Sequence, residues 1–134
     1  MIRLIRSAAR VALAWVFIRG GMDVLKNPEP RIKVASGFIE DLRAIVPLIP
    51  EDKEQLVKMN AEVMIGAGAL LALGISPLSR MAALTLCASL VPTTLGGHAF
   101  WSHEDPALRA QNVIHFNKNL SMIGGLLFFA LEGS

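Results

Sequence analysis

The sequence has little charge, a single cysteine and no processing signal. Cys87 alone excludes an internal disulfide and any C-x-x-C redox or metal motif. Charged residues make up 18% of the 134 positions, against about 25% in soluble domains. The net charge of +2 is small, and the basic residues are dispersed along the chain. Nucleic acid is therefore not an expected partner.

The N-terminus carries three arginines and an apolar run, as the start of a signal peptide does. Arg3, Arg6 and Arg10 precede or flank the run "VALAWVFI". The residues that follow, Arg19 to Asp23, do not form a small-residue cleavage site. We expect this first segment to be retained. The sequence contains no lipidation motif and no internal repeat.

Apolar residues are what the chain has in excess. Hydrophobic side chains make up 53% of the sequence, 11 glycines add to the apolar share, and the mean hydropathy is +0.50. The length suits a single domain, 1–134. We predict an all-α membrane domain, because so much apolar surface needs lipid to cover it.

Four apolar segments are candidate membrane spans. They cover about residues 4–25, 61–79, 81–101 and 111–131. A helix needs about 20 residues to cross the hydrocarbon layer. The second and third segments meet this easily, whereas the first and fourth contain charges that protein would have to shelter. The short connection Ser76–Ser79 favours an up-down-up-down four-transmembrane-helix bundle.

The loop between the first two spans has a different character, with many charges and four prolines. Within it, residues 31–46 show an apolar stripe at helical spacing that includes Ile32, Phe38, Ile39, Leu42 and Ile45. This pattern predicts an amphipathic helix that lies in the membrane interface or caps the mouth of the bundle.

Polar residues meet at one end of the predicted bundle. Alternating helix directions bring together six candidate ligand-binding residues: Arg19, Asp23, Glu62, His98, His115 and Lys118. We expect Arg19 or Lys118 to contact Asp23 or Glu62 inside the bundle, because charges within spans usually pair and face the interior. In the third span, Pro92 removes a backbone N–H, which predicts a kink or a local polar site there.

Structural alternatives account for several of these residues. Arg19 and Lys118 could extend their charges to the lipid headgroups, or the charged pairs could simply hold the helices together. Trp15 and Trp101 suit interface or packing positions. No cofactor motif is present, and His98 with His115 gives only a weak haem or metal signal because no ligand spacing flanks them. We predict no metal site.

Three stretches resemble the DoxX family. They are "RVALAWVFIRGGMDVLKNP" in the first span, "EVMIGAGALLALGISPLSRMAAL" in the second and "HFNKNLSMIGGLLFFA" in the fourth. The resemblance implies a four-helix protein of the bacterial plasma membrane, linked to sulfur, thiol or quinone redox metabolism. It also implies oxidative-stress partners of the superoxide dismutase or sulfurtransferase type. Matching of the motifs carries over Arg19, Glu62 and Lys118 as polar-site candidates.

Our leading hypothesis is a membrane component of a redox or oxidative-stress system. It either docks a soluble oxidoreductase or binds a quinone-like carrier, whose head His98, His115 and Lys118 could hydrogen-bond. The alternatives are a non-enzymatic scaffold or assembly factor, and a small-molecule permease acting as a homo-oligomer. For orientation, the Lys and Arg count of the loop favours a cytoplasmic loop. The three-arginine cluster before the first span and the resemblance favour both termini in the cytoplasm, and this is the orientation that we predict.

Overall fold

Helices account for nearly all of the structure. The computed structural model describes residues 1–97, 101 and 104–132. Those residues form five helices and no strand: α1 Ile2–Lys26, α2 Glu29–Ile45, α3 Lys53–Leu73, α4 Leu78–Gly97 and α5 Pro106–Glu132. The prediction of an all-α fold with an additional helix between the first two apolar segments is confirmed.

Prolines separate α1, α2 and α3. The N–H of Asn27 still bonds to the Asp23 carbonyl, but Pro28 follows and disfavours further helix. At the other end of α2, Val46 is extended because it precedes Pro47. The long loop therefore holds one short helix of its own.

Polar caps and a glycine define the ends of the later helices. The Asp52 carboxylate accepts hydrogen bonds from the N–H groups of Glu54 and Gln55, at 3.0 and 3.4 Å, and so starts α3. Gly74 ends α3 in the left-handed conformation, with φ of +69°, which glycine adopts without steric cost. Asp105 caps α5 in the same way as Asp52, through the Ala107 N–H at 3.0 Å.

The four longer helices form an antiparallel ring in the order α1, α3, α4, α5. Two contacts show that α4 and α5 run in opposite directions: Arg80, early in α4, reaches Ala130 late in α5, and Thr94, late in α4, meets Asn119 in the middle of α5. α5 returns to α1 near Gly125, beside Leu13. The up-down-up-down order is the one that the sequence predicts.

The main core lies inside this ring. Leu71, Leu86 and Leu126 are fully buried there, one from each of α3, α4 and α5. α1 contributes Ala14 and Phe17 to the same cluster. Small residues let the helices approach closely, as is usual for helices packed in lipid.

α2 is the amphipathic helix predicted over 31–46, and it packs against α3 and α4. Ile39 is buried in a second cluster with Val24, Val57 and Ala61, and Ile32 packs at its edge. The stripe therefore faces the bundle, as expected, over most of its length. The expectation is wrong for Ile45, the last residue of α2, which is 78% exposed.

Two helices are long and apolar enough to cross a membrane. They are Lys53–Leu73 in α3 and Leu78–Leu95 in α4. Only about a third or less of each segment is buried, 28% and 33%. Large apolar side chains also point outward from α1 and α5, among them Ile5, Trp15, Ile114, Leu120 and Phe128.

Candidate ligand cavity at one end of the bundle

The first predicted pair forms, but not in the bundle interior. Arg19 Nε lies 3.4 Å from Asp23 Oδ1, one turn apart on α1, and both side chains are more than half exposed. The expectation of an interior position is wrong for this pair, because both residues lie on the face of α1 that points away from α3. A pair this exposed contributes little to the stability of the fold.

The other predicted site residues that the structure describes lie on two helices, α3 and α5. Glu62 and Lys118 are both exposed, and Lys118 Nζ lies 3.4 Å from His115 Nδ1 on the same helix. Glu62 and Lys118 do not form a salt bridge with each other or with any other described residue. His98 lies outside the described residues. Of the five candidates that the structure describes, His115 is the one that lines a cavity, and the role of the set in ligand binding stays a prediction.

A cavity of about 650 Å³ lies where α2 covers the ends of α3, α4 and α5. This volume is typical of small-molecule sites. Its wall is mostly apolar, with a few polar groups contributed by α2, α3, α4 and α5. The lining side chains come from Val24, Pro30, Arg31, Val34, Ala35, Phe38, Ile39, Leu42, Ile49, Leu56, Val57, Asn60, Ala61, Met64, Ser89, Pro92, Thr93, Gln111, Asn112 and His115.

A polar pair joins α3 to α4 in the cavity wall. Ser89 Oγ donates to Asn60 Oδ1 at 2.5 Å. Among the described residues, the Asn60 amide nitrogen has the Met64 sulfur as its one hydrogen-bond partner, at 3.6 Å, and a thioether is a weak acceptor. Pro92 stands one turn after Ser89 and interrupts the backbone hydrogen bonding of α4. The local polar site predicted at Pro92 corresponds to this part of the wall.

Arg31 supplies the cavity with a cation. Its side chain is half-buried between α2 and the bundle, and burial lowers the pKa of its guanidinium from the ordinary value. Arginine nevertheless stays protonated in proteins. Within the described part of the chain, no carboxylate lies within salt-bridge distance of Arg31. The desolvation of this charge is therefore not offset by an ion pair.

Three polar side chains of α5 face the same cavity. Gln111, Asn112 and His115 occupy one face of the helix, since residues three and four apart lie side by side. Asn112 donates to the Leu108 carbonyl at 2.9 Å. Just beyond the cavity, Phe116 packs edge-to-face on Trp101, with ring centroids 6.0 Å apart. α5 thus gives the cavity its amide and imidazole groups.

A scan against family models matches residues 5–99 to DoxX. The chain belongs to the DoxX family. The matched range runs from the first turn of α1 to the end of α4 and includes every cavity residue except the three on α5. Neither the curated proteins nor the solved structures yielded a match. Family membership and the two apolar helices together indicate a membrane protein.

α2 is held over the cavity of this DoxX protein by two basic side chains near the α2–α3 loop. Lys53 Nζ donates to Ser36 Oγ at 2.6 Å and to Glu40 Oε1 at 2.5 Å. The hydrogen bond and charge of Lys53 lower the pKa of the Glu40 carboxyl. Arg43 donates to the carbonyls of Pro50 and Glu51, at 2.9 and 2.8 Å. The wall that α2 forms is thus fastened to the start of α3.

Arg31, Asn60, Ser89 and Gln111 are site residues that the sequence did not single out. Arg31 lies in a segment with several other lysines and arginines, and the sequence alone does not distinguish it from them. Asn60 directly precedes the second predicted span, so its polar side chain is expected in solvent at the start of that span. Ser89, three residues before Pro92, was the detectable signal, because a polar residue beside a proline predicts an opening in the helix. The described residues hold no group of three His, Cys, Asp or Glu side chains that could bind a metal ion.

Proposed function

We propose that this DoxX-family chain is an integral membrane component of a redox or oxidative-stress system, and that the cavity under α2 binds a quinone-like carrier. One observation carries the proposal: a largely apolar cavity of about 650 Å³ is lined by Arg31, Asn60 and Gln111, whose side chains carry N–H donors. A quinone combines an apolar ring and tail with two carbonyl acceptors. The wall offers surroundings for both parts.

The proposed membrane placement has all four long helices crossing the bilayer. α3 and α4 meet the length and composition requirement. Outward-facing apolar residues on α1 and α5, such as Trp15, Leu120 and Phe128, would contact lipid. α1 carries its pair Arg19–Asp23 at one end, where the headgroups can solvate both charges. In this arrangement the cavity and α2 lie near one membrane face.

Orientation is part of the proposal: both termini in the cytoplasm of a bacterial cell, and α2 on the opposite side. The arginines at the other end of the bundle from α2, including Arg3, Arg6 and Arg80, support it. Reporter fusions after Ser134 and in the loop near Glu51 test it. An active cytoplasmic reporter at Glu51 would reverse the orientation without affecting the cavity.

Quinone binding is tested by filling the cavity. Ala35 lines it from α2, so Ala35→Phe should occupy the space of the ring and reduce the affinity for a naphthoquinone at least tenfold. Ala44→Phe adds the same side chain on the exposed side of α2 and is the control. Binding is measured on the full chain in lipid nanodiscs by quenching of tryptophan fluorescence. Equal binding by both variants would place the quinone site elsewhere, and no binding by the unmodified chain would reject the proposal.

Docking of a soluble oxidoreductase is the second candidate, favoured by the outer face of α2. That face exposes charges of both signs, including Glu29, Lys33, Glu40 and Asp41. Charged, solvated helix faces suit a reversible contact with a partner. Cross-linking from Lys33 in intact membranes tests this candidate: a superoxide dismutase or sulfurtransferase linked at this position would support it, and cross-links to lipid or to the chain's own loops alone would count against it.

A further inference from the structure

The charges around the cavity are all of one kind. Among the described residues that line it, Arg31 and His115 are the ionisable ones, and no aspartate or glutamate is present. α1, α3 and α4 contribute apolar or neutral polar side chains only, such as Val24, Asn60 and Thr93. A bound molecule therefore meets one fixed positive charge and no fixed negative charge.

Among the described residues, Arg31 has no carboxylate partner, although a half-buried guanidinium usually has one. Its donors are not used by any carboxylate in the described ranges, and burial already lowers the pKa of the group. Buried or half-buried charges are normally paired, because the loss of hydration is otherwise uncompensated. A guanidinium also offers two parallel N–H groups that match an oxyanion. The missing partner can thus be supplied by a ligand.

A second donor stands on the α3 side of the cavity. The oxygen of the Asn60 amide accepts a hydrogen bond from Ser89 Oγ, which leaves the amide nitrogen on the side of Met64. Within the described part of the chain, that nitrogen forms one hydrogen bond, the long one to the Met64 sulfur. That N–H group is therefore free to donate to an oxygen placed in the cavity, since an O acceptor forms a much stronger bond than a thioether.

We propose that the cavity binds its ligand as an oxyanion, with Arg31 as the counter-ion and the Asn60 amide as a second donor. The inference rests on the proposed function in taking this cavity as the ligand site, and it adds the charge state of the ligand and the residue that selects it. For a quinol, one O–H bond breaks on binding, its proton leaves to water through the open side of the cavity, and the oxygen keeps the electron pair. No electron is transferred in this step.

A preference for the anion follows from the charge of Arg31. The site should bind an ionised hydroxynaphthoquinone at least ten times more tightly than neutral naphthoquinone of nearly the same shape. Since one pKa unit corresponds to a tenfold ratio of affinities, the hydroxyl of the bound probe should ionise at least one pH unit lower than in water. The colour of the hydroxynaphthoquinone reports its ionisation directly.

The experiment uses the full chain in nanodiscs of neutral lipid and three probes: hydroxynaphthoquinone, naphthoquinone and oleate. Arg31→Gln should lose the preference for the anion, and Arg31→Lys should keep most of it, because the charge remains. Lys33→Gln removes an exposed charge from the same helix outside the cavity and should change nothing. Thermal unfolding of each variant checks that the fold is intact.

The outcomes separate this inference from the proposed function. Equal affinity for the two quinones, or an anion preference that survives Arg31→Gln, would overturn the inference and leave quinone binding in place. Binding of oleate that depends on Arg31, without binding of either quinone, would support the oxyanion site and reject the quinone. If none of the three probes binds, both proposals fail.

Discussion

The two sides of α3 differ in how closely their neighbours approach. On the α1 side, a Cβ added at Gly21 would lie 2.7 Å from the Ala61 carbonyl oxygen and 2.7 Å from Ile65 Cγ1. At Gly68 it would lie 2.8 Å from Ile18 Cγ1. On the α2 side, the same helix faces a cavity of about 650 Å³. One face of α3 is packed closely against α1, and the other face lines a cavity.

This difference assigns two tasks to one helix. Glycines on α1 and α3 fix the distance between those helices, as small residues do where helices pack in lipid. α2 reaches α3 through the apolar cluster around Ile39 and through the polar contacts of Lys53 and Arg43. The close α1–α3 contact provides a rigid frame. On the other side of α3, the cavity leaves the donors of Asn60 and Arg31 accessible to a ligand.

The largest expected effect comes from disturbing the close side. Gly21→Ala adds a methyl group that meets backbone and a packed isoleucine, so α1 and α3 must separate. Gly20→Ala adds the same group at the neighbouring position, where its nearest contact is Met64 Cε at an ordinary 3.5 Å. Both changes gain the helix propensity of alanine, while only the first overpacks. The propensity gain cancels between the two variants, so we expect their unfolding free energies to differ by the overpacking cost, about 1–3 kcal/mol.

Unfolding in mixed detergent micelles measures that difference. Gly20→Ala should be as stable as the unmodified chain or slightly more so. It therefore controls for the helix propensity of alanine and for the behaviour of a variant in the micelles. If Gly21→Ala proves equally stable, then the α1–α3 contact adjusts easily, and the contrast between a rigid and a hollow side of α3 would not hold.

A smaller difference in unfolding free energy is expected between two polar pairs, one in the core and one in the cavity wall. In the dry core, Asn119 Nδ2 donates to Thr94 Oγ1 at 3.1 Å, and both residues are buried. Thr94→Val leaves that amide without an acceptor and should lower the unfolding free energy by about 1–3 kcal/mol. Ser89→Ala removes the partner of Asn60 in the cavity wall, where water can replace it. We expect a loss below about 1 kcal/mol for that change.

The ratio of the two losses reports whether the cavity is wet. Both variants are compared by the same detergent titration, and neither changes a charge. A loss for Ser89→Ala as large as that for Thr94→Val would mean that the Asn60 oxygen is as dry as the core. In that case the cavity would be closed to water, and the Asn60 amide would not be available to a ligand.

The fold was predictable where the pattern is periodic. The apolar stripe of residues 31–46 predicts α2, and the short connection at Ser76 predicts antiparallel neighbours. Both rest on local chemistry that a single sequence contains. The position of α2 over the cavity was also predictable in outline, because an apolar stripe needs a surface to cover it.

The site was less predictable, since helix ends and side-chain directions decide it. Arg19 and Asp23 are four residues apart in any helix, but rotation of α1 turns them away from α3 and leaves them exposed. Arg31 faces the cavity because Pro28 and Pro30 set where α2 begins. If α2 began one residue earlier or later, each side chain would move by about 100° around the helix. The sequence alone does not define the first residue of a helix to that accuracy.

The smallest effect concerns how α2 is fastened. Lys53 bonds to Glu40, and this lowers the pKa of the Glu40 carboxyl below its ordinary value of about 4.3. A carboxyl whose pKa is depressed in the docked state stabilises that state above its undocked pKa, and the contribution is lost as the pH falls through the docked pKa. We therefore expect α2 to be held equally well at all pH values above about 5 and to loosen below about pH 4. The pair is largely exposed, so the change should be small.

Amide hydrogen exchange of α2, corrected for the intrinsic pH dependence of exchange, measures this loosening. Glu40→Gln should make exchange faster at neutral pH and remove its acid dependence, while Lys53 keeps its bond to Ser36. The matched control is Glu54→Gln, which breaks the Glu54–Lys58 pair within α3, 2.8 Å apart, and should leave α2 unchanged. Acid loosening of α2 that persists in Glu40→Gln would show that another group holds the helix. A uniform increase in exchange over α2 and α3 together would mean that α2 belongs to the rigid frame and is not a separate wall of the cavity.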